Sequence, residues 1–149
     1  MSEFPPVSYV MPVLNEQGYL ADAVAAVLAQ SYPAEQELVI ALGASTDDTT
    51  AIAHELAETD ARITLVDNPV NDIPVGLNLA IAASRHPIVV RVDAHAELPA
   101  DYTRTMVGLL NETGAVNVGG VMHAKGRTPF QAAVARAYNS PWGLGGGQY

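Results

Sequence analysis

The chain has 149 residues, of which 49% are hydrophobic, with a formal net charge of -9 and no cysteine. That length buries one core and is short for two ordinary domains. The negative balance argues against nucleic acid or an anionic membrane surface as the primary partner, and the missing cysteine removes disulfides, thiolate catalysis and Cys-based zinc sites.

In chain order, apolar strand-like runs cover residues 7–13, 37–42, 63–67 and 88–92, with a weaker one at 116–122. Helical patterns fall between them at 18–30, 46–58, 75–84 and 101–112. The alternation predicts βαβ units and a largely parallel sheet, covered on both faces, whose first four strands end at one edge. In the first helix Leu20, Val24, Val27 and Leu28 share a face, and Pro33 stops it. Ser45 reads as an N-cap with Asp48 three residues on. Pro74 suits a first helical turn, after which Leu77, Ala80 and Ile81 are expected to face the sheet. From Gly114 the pattern loosens, and the glycine-rich stretch 142–147 carries no folding signal after it.

The turn after the first strand has no G-x-G-x-x-G, and neither G-x-x-x-x-G-K-[ST] nor G-x-S-x-G occurs, which disfavours dinucleotide, P-loop and serine-hydrolase readings. Polar groups instead gather at strand ends: Pro12, Asn15 and Glu16, then residues 45–48, 68–72 and 93–95. Asp93 and His95 follow an apolar run, one residue apart. On an extended backbone, period-two alternation puts both on one side, within reach of one divalent cation that would hold a diphosphate. The alternative is a turn capped by Asp93 with His95 solvated. A cation would also offset the repulsion that an acidic chain presents to phosphate.

The blocks VSYVMPVLNE (7–16), QSYP (30–33), STDDT (45–49), DNP (67–69) leading to GLNLAI (76–81), and DAH (93–95) together resemble the family 2 glycosyltransferases. With Asp93-Ala94-His95 in place of Asp-x-Asp, and GGVM (119–122) before TPFQ (128–131), the chain looks most like the succinoglycan-type exopolysaccharide branch. The resemblance implies a nucleotide-sugar-binding GT-A fold, a Rossmann-like three-layer α/β/α sandwich with a mostly parallel sheet, incomplete at its C-terminal end. It implies one donor-binding domain over 1–149, with its core at 7–112 and the acceptor-side region starting in 113–149.

The resemblance sets Pro12, Asn15 and Glu16 against the nucleotide, with Asp47 and Asn78 in the same donor site. Asp93 would contact ribose or the metal-bound diphosphate, and His95 takes the position of a second carboxylate that coordinates Mn2+ or Mg2+. Imidazole favours manganese. Arg91 would neutralise Asp93 or phosphate, or form a buried ion pair. The purely structural roles are a helix cap for Asn15 and helix-start charges for Glu16 and Asp47.

Two departures stand out. Residues 41–44 lack the carboxylate that reads uracil in the family, so the base stays open. The resemblance places the catalytic base after the matched region, so it is expected beyond Tyr149, and no acidic residue follows Glu112; His123, Lys125 and Arg127 read as a solvated loop. The expectation is a metal-dependent, inverting glycosyltransferase passing sugar from a nucleotide-diphosphate donor to a polysaccharide or lipid-linked acceptor. The alternative is a non-catalytic nucleotide-sugar-binding or interaction module. No leader or 18-residue apolar span is visible, so the expected place is the cytoplasm, at the inner face of the membrane where the acceptor is membrane-linked. An exposed sheet edge would permit a homodimer.

Overall fold

The computed structural model describes residues 4–140, 142 and 143. Among these, four strands, β1 (Val7–Val13), β2 (Gln36–Gly43), β3 (Ile63–Asn68) and β4 (Ile88–Arg91), alternate with helices α1 (Leu20–Leu28), α2 (Thr49–Thr59) and α3 (Ile73–Ala83). Two more helices follow, α4 (Tyr102–Thr113) and α5 (Pro129–Tyr138). All strand pairs are parallel, in the order β3-β2-β1-β4. The chain steps outward from β1 to β3 and returns to the other side of β1 with β4. The reversal puts a switch point at the C-terminal ends of β1 and β4, the place where the crevice of open α/β sheets binds ligands.

The central strands are apolar on both faces because both are covered. Val7, Tyr9, Met11 and Val13 of β1 and Leu38, Ile40 and Leu42 of β2 enter one core with Leu20, Val24 and Val27 of α1, Ala53 of α2 and Val107 of α4. Val10, Val39 and Ala41 face the other way, against Ala80 and Leu77 of α3. Period-two alternation within each strand thus builds a three-layer α/β/α arrangement. Gly76 lets α3 approach the sheet. A Cβ there would lie 2.8 Å from Asn68 Nδ2 and 3.4 Å from the Ala41 Cβ.

A buried polar tie fixes α4. The Tyr9 hydroxyl lies 2.7 Å from Thr103 Oγ1, while Gln30 Oε1 accepts from Thr103 N at 3.1 Å and from its hydroxyl at 3.0 Å. Burial pushes the Tyr9 phenol up to about 12, against the lowering effect of the Thr103 hydrogen bond. At the N-terminal edge of the sheet, buried Glu37 accepts from Ser8 Oγ, Arg85 N and Arg85 Nε at 2.5, 2.7 and 2.6 Å.

Several local expectations need correcting. No strand forms over residues 116–122, where Val116, Val121 and Met122 are exposed and find no sheet neighbour. Ile81 is also exposed, because the face of α3 that meets the sheet runs through Gly76, Leu77 and Ala80. Helix α5 lies in the region read as irregular; Thr128 and Gln131 form a full capping box, and Pro129 opens the first turn.

The described residues divide into two compact units, with the boundary between Val116 and Asn117. In the second, the Asn139 side chain accepts from Ala124 N at 2.9 Å and donates to Ala124 O at 2.8 Å, pinning the loop that carries His123, Lys125 and Arg127. Of the glycine-rich stretch, residues 144–147 lie outside the described residues. Among the described residues no helix is long and apolar enough to cross a membrane.

Candidate functional site

Three loops leave the C-terminal edge of the sheet side by side, and side-chain hydrogen bonds stitch them together. Asn15, after β1, has φ 55, in the left-handed region that asparagine tolerates. Its Oδ1 accepts from Thr46 N at 2.8 Å, and its own N–H donates to Ser45 Oγ at 3.0 Å. Gln17 repeats the exchange: its N–H donates to Asp47 Oδ2 at 3.3 Å and its Oε1 accepts from Asp48 N at 3.0 Å.

Buried Thr49 is the hub of this seam. Its hydroxyl accepts from Glu16 N at 2.7 Å and donates to Asp47 Oδ1 at 2.5 Å. The Thr49 hydroxyl, helped by the Thr49 and Gln17 backbone N–H groups, holds the Asp47 carboxyl below its ordinary value. From the β3 side, Asn71 has φ 57, and its Oδ1 accepts from Ala44 N at 2.7 Å. That oxygen would lie 2.9 Å from a Cβ on Gly43, so the Asn71 amide fills the room a side chain at 43 would need.

The tip of β4 closes the crevice from the other side. β4 ends at Arg91, and residues 93–96 form a turn in which Ala96 N donates to Asp93 O at 2.9 Å. Asp93 and His95 therefore project from a turn, not from an extended strand. Arg91 Nε and Nη2 both donate to Asp93 Oδ1 at 3.1 Å. This pair is exposed, not buried, with 56% and 45% of the two side chains accessible. His95 Nδ1 meets Glu16 Oε1 at 3.0 Å, so the β1 and β4 loops touch across the topological switch point.

The structure links Asn15, Glu16, Asp47 and His95 to one another or to the shared 45–49 loop, while the Arg91 and Asp93 side chains pair only with each other among the described residues. Pro12, on β1 opposite Ala41, lies just below the loop that Asn15 begins to turn. Asn78 is exposed in the middle of α3, on the face opposite Gly76 and Ala80, away from these contacts. Ser45 does not cap α2; its hydroxyl serves Asn15, and the N-cap position falls to Asp48. Asn15 caps no helix either, since α1 begins with Tyr19 at its N-cap. The roles of Thr49, Gln17 and Asn71 have no sequence signal beyond residue type, because their partners are remote in the chain.

Among the described residues, no three acidic or histidine side chains gather into a metal cage. Asp93 Oδ2 and His95 Nε2, however, make no hydrogen bond within the described residues, because the pairs above use Oδ1 and Nδ1. Those two atoms are the ones left for a ligand, with the Arg91 guanidinium already beside the Asp93 carboxylate.

A parallel sheet with helices on both faces and polar loops at its switch point defines an open α/β fold of the kind that binds ligands at that point. The pattern of glycosyl transferase family 2 matches residues 8–146, and the chain belongs to that family. It is 35% identical over 142 residues to the succinoglycan biosynthesis protein ExoA of Rhizobium meliloti (strain 1021), covering 94% of this chain and 43% of that protein. It is 33% identical over 95 residues to the putative glycosyltransferase EpsE of Bacillus subtilis (strain 168), covering 62% of this chain and 34% of that one. The chain thus spans less than half the length of these relatives.

The mannosyltransferase PcManGT from Pyrobaculum calidifontis, solved with GDP-Man and Mn2+, superposes with a TM-score of 0.64 at 29% identity, over 78% of this chain and 34% of that one. S. aureus TarS 1-349, solved with UDP, shares the fold at a TM-score of 0.65 and 17% identity, over 80% and 39% of the two chains. The architecture is that of the GT-A glycosyltransferases.

Proposed function

We propose that this chain is the donor-binding portion of a metal-dependent, inverting glycosyltransferase, with residues 7–112 as its core. It would pass a sugar from a nucleoside diphosphate to a polysaccharide or lipid-linked acceptor. The observation that carries the reading is the 3.0 Å contact between Glu16 and His95. It joins the loops on either side of the switch point in a chain of the glycosyltransferase family. The pairing of GDP-Man with Mn2+ in PcManGT supports the choice of donor class and metal.

In this reading the seam formed by Asn15, Gln17, Asp47 and Thr49 gives the nucleotide a fixed wall. Asp93 and His95 would hold a divalent cation, which would supply positive charge to the departing diphosphate. Arg91 stays paired with Asp93, fixing the carboxylate and adding positive charge at the crevice mouth. Residues 113–149 contain no Asp or Glu. An inverting transfer needs a base at the acceptor hydroxyl, so that group comes from outside this stretch. The same observation favours a second reading, a nucleotide-sugar-binding module that performs no transfer by itself.

Calorimetry with Mn2+ and a panel of GDP- and UDP-sugars tests the proposal. Donor binding is expected only with the metal present, and His95→Ala is expected to weaken it at least about tenfold, since groups that merely orient a ligand are already worth that much. A folded chain that binds none of the panel with Mn2+ present refutes the reading. Transfer by the chain alone to an added glycan acceptor would favour the enzyme over the module.

A further inference from the structure

The family resemblance sets Glu16 against the nucleotide, but its carboxylate is already committed to His95. Its backbone N–H is fixed to buried Thr49, which holds the residue in place. Its Oε1 lies 3.0 Å from His95 Nδ1, and the Glu16 side chain is 21% accessible against 61% for His95. A carboxylate accepting from one ring nitrogen puts the proton of a neutral imidazole on that nitrogen. The other nitrogen, Nε2, then carries the lone pair and has no hydrogen-bond partner among the described residues. A carboxylate behind a ligating histidine is the usual way in which ring orientation and basicity are set.

We propose that Glu16 is a positioning residue: through the hydrogen bond to Nδ1 it selects the Nδ1–H form of His95 and presents Nε2 to the divalent cation. This rests on the metal reading above and deepens it. A site with an oriented imidazole beside one carboxylate favours Mn2+ over Mg2+, because imidazole is a poor ligand for the harder ion. The line Asp47–Thr49–Glu16–His95 then makes the β2–α2 loop a support for the β4 tip, with Asp47 receiving the Thr49 hydroxyl that anchors Glu16.

The tautomer is read directly by nitrogen NMR of the His95 ring in the metal-free chain at a pH where the ring is neutral. The Nδ1–H form is expected in the wild type and a mixture in Glu16→Ala. Mn2+ titration followed by electron paramagnetic resonance is the second readout. Glu16→Ala is expected to weaken Mn2+ binding about 10- to 100-fold, with Glu16→Gln, which retains an acceptor, between it and the wild type. Circular dichroism melts establish that each variant is folded.

An Nε2–H ring in the wild type overturns the proposal, as does unchanged Mn2+ affinity in both Glu16 variants while His95→Ala loses it. That second pattern leaves the metal reading standing. Absence of Mn2+ binding by the wild type, with or without a nucleoside diphosphate, refutes the metal reading itself, while the tautomer measurement still decides the role of Glu16.

Discussion

Replacing Thr49 with valine keeps the shape of a fully buried side chain and deletes the hydroxyl that joins the first two loops. Two hydrogen bonds disappear, from Glu16 N at 2.7 Å and to Asp47 Oδ1 at 2.5 Å. The Asp47 carboxylate reaches water and recovers most of its loss. The Glu16 N–H is partly buried and has no other acceptor, so it carries most of the cost; an unsatisfied buried donor costs about 1–3 kcal/mol. The expected destabilisation is about 2 kcal/mol, and at about 2–4 °C per kcal/mol for a chain of this size the melt falls by about 4–8 °C. Thr49→Ser keeps the hydroxyl and loses one methyl, a cost of about 0.8 kcal/mol. Circular dichroism melts, with hydrogen exchange at the Glu16 amide, measure both effects. A valine variant that melts with the wild type and leaves the Glu16 amide equally protected would refute the hub assigned to Thr49.

Asn15→Ala is expected to be less stable than Asn15→Gly by about 1 kcal/mol in urea unfolding, because both lose the Thr46 contact and only alanine resists φ 55. Equal stability would remove backbone strain from the account of that loop. Gly43→Ala drives a methyl to 2.9 Å from Asn71 Oδ1 and 3.1 Å from Leu14 Cδ1, and is expected to cost about 1–3 kcal/mol; Asn71→Ala in the same chain should recover part of it. Burial alone would raise the Glu37 carboxyl, but hydrogen bonds from Ser8 and Arg85 and the Arg85 charge prevail and hold it below 4.5. The unfolded chain therefore takes up this proton first, so the stabilisation is complete above about pH 4.5 and is lost as pH falls through the lower folded value. Glu37→Gln should flatten the stability profile in that acid window, and an unchanged slope would show that Glu37 has no part in it.

Much of the fold was legible because its signals are local. The apolar runs that became β1, β2, β3 and β4 were bounded to within one residue at each end. Buried parallel strands are apolar on both faces, and turn residues punctuate them. The absence of a strand at 116–122 is a tertiary matter. That run is apolar enough, but it has no neighbouring strand to satisfy its backbone. Helix α5, by contrast, was written locally in Thr128-Pro129-Phe130-Gln131, a capping box with a proline at its start.

By itself the sequence determined the parallel α/β layers, the edge at which β1 to β4 end, and the family blocks, since strand periodicity and turn chemistry act over a few residues. Tertiary structure alone decided which polar groups meet there. Glu16 and His95 are 79 positions apart and Asn15 and Thr46 are 31 apart. Those contacts depend on the order in which strands pair and on the turn that replaces extended backbone after Arg91, neither of which local periodicity encodes. His95 meets Glu16 because the folded chain puts an acceptor beside a ring nitrogen within one hydrogen-bond length, whereas the Arg91–Asp93 pair, two residues apart, was legible locally.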